Sequence, residues 1–526
     1  MRSKLVRGAL PLLAAAALGA PEGARAQAFR PSLAVVQLND VYRIDAVEEG
    51  RAGGLGRVVT VVERTKAETG LPVRVFHAGD MIAPSLESQY FEGRQMIDAL
   101  NFVHAAAPLV VVPGNHEFDS SRPGMLAGAI RRSRFPWLAA NVALNTGDAA
   151  VDARLQRDTV FEANGVRVGV FSLTFLDRPR SYATHDSAFV RIAEERIRAL
   201  EGRADVIVGL THLALETDRE IARLRRRHPK LVWIAGGHEH FLIREEMTRD
   251  AALITKGDSN ARRVWRVTLG REGRRAAARA EAVALNESVA VDSAYRRQVT
   301  DVWMDSLRAV LPVVDDTIGR TAVRMDASED VVRNAESAWG NWLTDLMRTA
   351  FPSDTADIAV LNGGALRIDD VLPEGPIRYE HLARSFGFPT RVALVTLAGS
   401  DVRAMLENSV SGGRGEGRFL QVSGLKVRFD RSRPEGQRVL DAQVCRGDAC
   451  APLDPARAYR VAVPDYLFGD GDGYTFRARA TNVFPPGPEL RLTAFDALLT
   501  AYSRGQAISP RVEGRLVDAT PGAQHH

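Results

Sequence analysis

The stretch VVVPGNHEFD, Val110 to Asp119, decides how this chain is to be read. An apolar run suited to a buried strand stops at Gly114 and then releases Asn115, His116, Glu117 and Asp119 in close succession. Open α/β sheets put their ligands at the carboxyl ends of strands, where these metal-ligating and proton-handling side chains fall. Four more stretches repeat the plan: QLND ending at Asp40, HAGD at Asp80, GLTH at His212 and WIAGGHEH at His240. Together they predict one edge of one sheet carrying several ligands, and hence a metal site.

Outward from that stretch, residues 33 to 269 alternate strand and helix. Apolar runs at 33–38, 72–77, 108–113, 166–172, 205–210 and 230–235 read as strands, and Gly54 to Thr69 and Ala188 to Leu200 carry helical spacing. Such alternation predicts an α/β domain with a layered core. Runs at 252–256 and 263–269 read as plain strands. A charge-rich helical connector from Ser293 to Leu311 ends at Pro312, and the domain boundary is expected there. The second half offers a helix over Ser337 to Phe351, a strand and glycine turn in DIAVLNGGALR (357–367), a strand over 391–399 and a helix from Ser400 to Ser409. The residues after Asp518 read as frayed.

At 526 residues the chain exceeds one core, and two domains are the expectation. A composition 45% hydrophobic and 25% charged, with a formal net charge of only +4, describes a soluble globular protein. The scattered arginines form no block of like charge, which argues against a nucleic-acid polymer as partner. Cations at Arg2, Lys4 and Arg7, an Ala-rich run to Ala20 and the small residues of Ala24-Arg25-Ala26 read as a signal peptide over 1–26. That run is too short to span a bilayer, so no membrane anchor and a periplasmic or secreted location are expected. In that oxidising setting Cys445 and Cys450, the chain's two cysteines, most simply close a local disulfide.

The candidates for chemistry, in order, are Asp40, Tyr42, Asp80, Asn115, His116, Asp119, His212, His238 and His240. Oxygen donors mixed with imidazoles suit divalent first-row ions, and the lack of thiolates argues against a structural zinc cage. A carboxylate such as Asp80, alone at a strand tip, is a natural bridge between two ions. A pair of cations about 3.5–4 Å apart can polarise a phosphoryl oxygen and acidify a shared water. His77 and His104 read as ordinary core or surface histidines, His185 and His228 receive no role, and Glu117 and Glu239 read as residues that hydrogen-bond beside the ligands or face water.

In combination and order, D-x-[HY], GD, GNHEFD, TH and GHxH, followed by NGGxxR and GDGDGY, resemble the secreted 5′-nucleotidase and UDP-sugar hydrolase family, whose first domain is a calcineurin-like metallophosphoesterase. The resemblance implies an α/β fold: a layered β-sandwich flanked by helices over 27–292, a helical linker over 293–312 and a second, α+β substrate-binding domain over 313–518, with 519–526 as tail. It implies two divalent metal ions, Zn, Mn, Co or Fe, one on Asp40, Asp80 and His240 and the other on Asp80, Asn115, His212 and His238. His116, oriented by Asp119, would stabilise charge on the phosphoryl group or act as a general acid. The family has His two residues after the first Asp, where this chain has Tyr42. A phenolate ligand, a more weakly held first ion or a ring turned away would each follow, and altered metal preference is the expectation.

The resemblance also places Arg333 and Arg367 on the substrate phosphate, although Glu329 stands where the family has a further arginine. Phe388 and Tyr466 resemble the family's pair of rings around the base, with Phe386-Gly387 offering a second alignment. Asp472 would accept from ribose hydroxyls and Asn362 would touch the base. Metal and base on separate domains imply that the domains approach each other during turnover. The expected function is hydrolysis of nucleoside 5′-monophosphates, a small-molecule substrate, by a monomer or weak homo-oligomer. Cyclic 2′,3′-nucleotide or UDP-sugar cleavage shares every motif, and thiosulfate-ester hydrolysis shares the metal chemistry. A nucleotide-binding protein impaired by Tyr42 is the alternative of another class.

Overall fold

The computed structural model describes residues 28–351, 355–484 and 486–522. The expected signal peptide, 1–26, lies outside the described residues.

Two sheets face each other in the first half. The seven-stranded sheet runs in the order Arg275–Ala284, Arg263–Glu272, Phe29–Leu38, Val73–Ala78, Leu109–Val112, Trp137–Leu138 and Leu155–Gln156. The six-stranded sheet runs Ile243–Glu245, Leu253–Lys256, Leu231–Gly236, Val206–His212, Val166–Thr174 and Asp158–Ala163. Successive side chains of a strand point to opposite faces, and here both faces are covered. Leu33, Val35, Val110 and Val112 enter the layer between the sheets, while Ala34, Val36, Leu38 and Val111 pack under the helices Leu55–Thr69, Arg94–Ala106 and Gly124–Arg132. That double burial is why these strands read as continuous apolar runs. Phe76 of one sheet and Trp233 of the other stack at 5.7 Å between centroids, 9° from parallel. Buried Gln37 donates to the carbonyls of Gly236 and Thr255 at 2.9 and 2.8 Å, tying the sheets together beside the site.

The connector is one helical rod from Ser293 to Val310. Its Tyr295 hydroxyl donates to the Ile44 carbonyl at 2.6 Å, and Leu307, Leu311 and Val314 share a core with Leu86, Phe91 and Ala383 from the two halves. Beyond it, a five-stranded sheet runs Leu420–Ser423, Ile358–Asn362, Ala458–Pro464, Val392–Ala398 and Thr481–Phe484. It is covered on one face by the helices Ala338–Arg348 and Leu490–Ser503 and on the other by Gly399–Ser409. A four-stranded sheet carries Cys445 and Cys450 as paired neighbours, joined by a disulfide. The tail is held further than expected: the Ala519 amide donates to the Phe429 carbonyl at 2.7 Å, and Thr520 accepts from the Arg431 amide at 2.8 Å.

His77 lies fully buried on the strand Val73–Ala78, on the face of Val73 and Val75, with neither ring nitrogen hydrogen-bonded. Burial pulls its imidazole down to about 4, against partial opposition from Asp40. Unfolded, a histidine titrates near ~6.5, so in that window the unfolded chain binds a proton that the folded chain refuses. Stability is therefore lost as pH falls from about 6.5 to about 4, by at most about 3 kcal/mol from this group. Urea midpoints across that range should fall less steeply for His77→Phe than for the native chain; parallel falls would remove His77 as the cause.

Candidate metal centre

The strand ends of both sheets meet at one place, and the expectation of a single sheet edge is corrected. Asp40, Asp80 and Asn115 follow strands of the seven-stranded sheet; His212 ends a strand of the six-stranded sheet, and His238 and His240 follow the next. Each sheet reads locally as the same strand-then-ligand pattern, and only their face-to-face packing joins the two sets. The turns are tight. Asp40, Asp80 and His238 have φ of 52°, 57° and 84°, a left-handed backbone that costs a non-glycine residue about 1 kcal/mol or more. A Cβ on Gly114 would stand 2.1 Å from Asp80 Oδ1, and one on Gly237 1.9 Å from the Ala78 carbonyl, so only glycine lets the loops close this far.

Donor atoms of Asp40, Asp80 and His212 all lie within 4.8 Å of one another. His212 Nδ1 bonds the Ala78 carbonyl at 2.7 Å, which fixes the ring and turns Nε2 toward Asn115 Oδ1 at 3.0 Å and Asp80 Oδ2 at 3.4 Å. His240 Nε2 lies 3.3 Å from Asp40 Oδ1. The His238 ring stands edge-on to Phe175 at 4.7 Å and to His212 at 5.4 Å between centroids. Tyr42 points into the cluster: its hydroxyl is 3.4 Å from Asp40 Oδ1, 3.1 Å from Asp80 Oδ2 and 3.1 Å from His240 Nε2. A ring turned away is therefore excluded. The His116 ring sits beside the cluster, with Nδ1 2.7 Å from Asp119 Oδ2 and its amide donating to Asp80 Oδ1 at 2.9 Å.

The electrostatics fit a cation. Asp40 and Asp80 are buried at 0% and 1% exposure, and two carboxylates so close in an interior are costly without positive charge between them. Burial pushes Asp80 up, but His212 and His116 outweigh it and hold the carboxyl well below its usual range. Burial pulls His212 down, and Asp80 more than reverses this, to about 10. His238, which burial and then His212 press down to about 3, is neutral and free to ligate. For His116, burial lowers and Asp119 and Asp80 raise, leaving it at about 9. For Tyr42, burial, Asp80 and Asp40 all raise the phenol well above its ordinary value.

The second half supplies Arg333 and Arg367, both buried close to the cluster. Arg367 Nη2 is 3.2 Å from His116 Nε2, and its guanidinium lies 4.9 Å from the Tyr42 ring centre. Phe388 is exposed, 6.2 Å from the His116 ring between centroids, whereas Phe386 is core, which removes the second alignment. Tyr466 is exposed and donates to Asp472 Oδ1 at 2.9 Å; Asn362 donates to Asp472 Oδ2 at 2.9 Å. Both oxygens of the expected ribose acceptor are thus engaged within the protein.

Sequence reasoning missed Asp177, which accepts from the Asn115 amide at 2.9 Å and so turns Asn115 Oδ1 toward His212. It missed Lys256, buried with Asp218 and Glu239 and donating to the Leu213 and Gly237 carbonyls at 2.7 and 2.9 Å, a brace behind the His238 turn. A lysine inside the apolar run Leu253–Lys256 was the available signal.

Models of two families match the chain: calcineurin-like phosphoesterase over residues 33–242 and 5′-nucleotidase, C-terminal domain, over 317–479. A 5′-nucleotidase of Diplobatis ommata is 25% identical over 559 aligned positions, covering 97% of this chain and 92% of that protein. The 5′-nucleotidase of Homo sapiens is 25% identical, covering 94% and 92%. The solved structure of a 5′-nucleotidase precursor from Thermus thermophilus is similar with a TM-score of 0.77 at 25% identity, covering 93% of this chain and 99% of that one. A sulfate thiohydrolase from the same organism, 16% identical with a TM-score of 0.70 over 94% and 98% of the two chains, shares the fold.

Glu117 holds the two ligand loops together, accepting from the amides of Asp80, Met81, Ile82 and Gly114 at 2.9, 2.8, 3.0 and 2.5 Å. Burial and then Asp80 push its carboxyl up to about 7 against those donors. Each orphaned buried amide costs about 1–3 kcal/mol, so Glu117→Ala should lose about 3 kcal/mol or more in urea unfolding at pH 8. Glu117→Gln should lose less than the Ala variant, because its oxygen keeps one pair of these amides and its neutral amide carries no charge to bury, although its nitrogen must face the other two donors. A Gln variant less stable than the Ala variant would contradict this account.

Proposed function

Because the chain belongs to the 5′-nucleotidase family that joins a calcineurin-like phosphoesterase domain to a 5′-nucleotidase C-terminal domain, we propose that it hydrolyses nucleoside 5′-monophosphates to nucleoside and orthophosphate with the help of two divalent cations. The observation that carries this reading is the convergence of Asp40, Asp80 and His212 beneath two buried arginines and an exposed aromatic ring. Asp40, Asp80 and His240 would hold one cation, and Asp80, Asn115, His212 and His238 the other. When bound, such cations supply Lewis acidity toward a phosphoryl oxygen and lower the pKa of a coordinated water.

The protein's own groups do the rest. Asp119 on Nδ1 orients His116 so that Nε2 faces the substrate side, where its proton can stabilise the phosphoryl group or pass to the departing ribose oxygen. Arg333 and Arg367 match phosphate oxygens in forked contacts. Phe388 and Tyr466 flank the base, and Asp472 exchanges its internal partners for the ribose hydroxyls. The Tyr42 hydroxyl lies within hydrogen-bonding reach of all three candidate ligands of the first cation, which supports a weakly held ion there. The leader-like first residues and the Cys445–Cys450 disulfide support a secreted or periplasmic protein, and among the described residues no helix is long and apolar enough to cross a membrane.

The purified protein should release phosphate from nucleoside 5′-monophosphates after reconstitution with Mn²⁺, Zn²⁺ or Co²⁺, and lose that activity in chelator. Metal analysis should find close to two ions, one of them readily removed. Absence of metal-dependent release from every nucleotide tried would remove the reading. His116→Ala should lower kcat by about 10²–10⁴ with little change in bound metal. Phe388→Ala should raise KM for nucleotides far more than for an aryl phosphate, and equal effects would deny the ring its contact with the base.

A further inference from the structure

Glu329 opens the short helix Glu329–Val332 of the second half, and its carboxylate is buried against the metal centre of the first. Oε2 is hydrogen-bonded to His240 Nδ1. Oε1 pairs with Arg333 Nη2 at 2.7 Å and lies 3.5 Å from Arg367 Nη1. The backbone beneath it is anchored in turn, since the Glu329 amide donates to Asp369 Oδ1 at 3.0 Å. Asp369 Oδ2 accepts from Arg262 Nη1 at 2.5 Å and from Asn260 Nδ2 at 2.6 Å, both in the first half. The carboxylate therefore stands at a junction. One oxygen touches a candidate metal ligand on its far ring nitrogen, and the other occupies the two guanidinium groups assigned to the substrate phosphate.

We propose that Glu329 is a positioning residue lent by the second domain to the metal site of the first, one that favours the cation and disfavours the phosphate. By accepting the Nδ1 proton of His240 it leaves Nε2 as the nitrogen offered to the ion, and a carboxylate in that position raises the basicity of the ring. Its negative charge on Arg333 and Arg367 competes with any phosphate that approaches them. Release of orthophosphate, the anion that must leave after each turnover, is thereby eased. The inference rests on the ligand role given to His240 above and extends it to a residue outside the first domain.

The opposed signs make the test sharp. Chelator-treated native protein, Glu329→Gln and Glu329→Ala would be titrated with Mn²⁺ by calorimetry, and inhibition by inorganic phosphate measured at saturating Mn²⁺. Loss of such an outer partner costs a site about ten- to a hundredfold in metal affinity. The Ala variant should lose about tenfold or more at one of the two ions, while the Gln variant, whose amide oxygen still accepts from Nδ1, should keep most of it. Both variants should bind phosphate severalfold more tightly. Unchanged Mn²⁺ affinity in the Ala variant would overturn the positioning role. Phosphate inhibition that weakens in both variants would mark general loosening and overturn the proposal as well. If Ala fails to fold, the near-isosteric Gln variant still decides through phosphate. Should the native protein itself take up no Mn²⁺, the reading of the metal centre falls and this inference with it; native binding with indifferent variants sinks this inference alone.

Discussion

Two carboxylates, Asp40 and Asp80, are held almost out of water with donor atoms inside 4.8 Å of each other and of His212. At an effective dielectric near ~20, unit like charges that close repel by about 3 kcal/mol, before the cost of removing either from water. Much of the surrounding structure answers that constraint. Amides are aimed at the carboxylates: His238 N at Asp40 Oδ2 and His116 N at Asp80 Oδ1, both at 2.9 Å. Left-handed turns and Gly114 and Gly237 bring those amides in, and Glu117 and Lys256 brace the turns from behind. A sandwich with both sheet faces buried is stiff enough to hold such an arrangement ready for a cation.

The sandwich was legible because burial on both faces writes an apolar run into each strand, and the ligands stand where the runs stop. Helix ends agreed to within a few residues for the same reason: the expected Ala188 to Leu200 is found as Phe189–Glu201. Periodicity says that a strand is covered but not by what, so the division of the ligands between two sheets was hidden. It hid equally the difference between Glu117 and Glu239, which hold the same place next to candidate ligands. One gathers backbone amides, and the other pairs with a lysine in a neighbouring strand.

Charge across the domain junction was the least legible part. A scatter of arginines with no local block reads as composition alone, and most such pairs at a surface are worth ~1 kcal/mol or less. Here several cross between the halves wholly or partly out of water: Arg43 to Asp370 at 3.1 Å, Arg262 to Asp369 at 2.5 Å and Arg384 to Glu87 at 2.7 Å. The partners are one hundred to more than three hundred residues apart, and no window of sequence contains both. Buried pairs of this kind orient more than they stabilise. They set the second half at one angle over the first, the angle at which Arg367 reaches His116.

That angle matters most at Tyr42. A phenol has one proton to give, yet its oxygen lies within hydrogen-bonding reach of Asp40, Asp80 and His240. A cation entering there meets a group that burial and two carboxylates keep protonated. On the proposed two-cation reading, Tyr42 makes the two halves of the centre unequal. The half it would weaken is the one the second domain reaches, through Glu329 on His240 and Arg367 against the Tyr42 ring. On the proposed reading, Glu329 of the second domain offsets part of that weakness at His240, so that residues of both domains build one site.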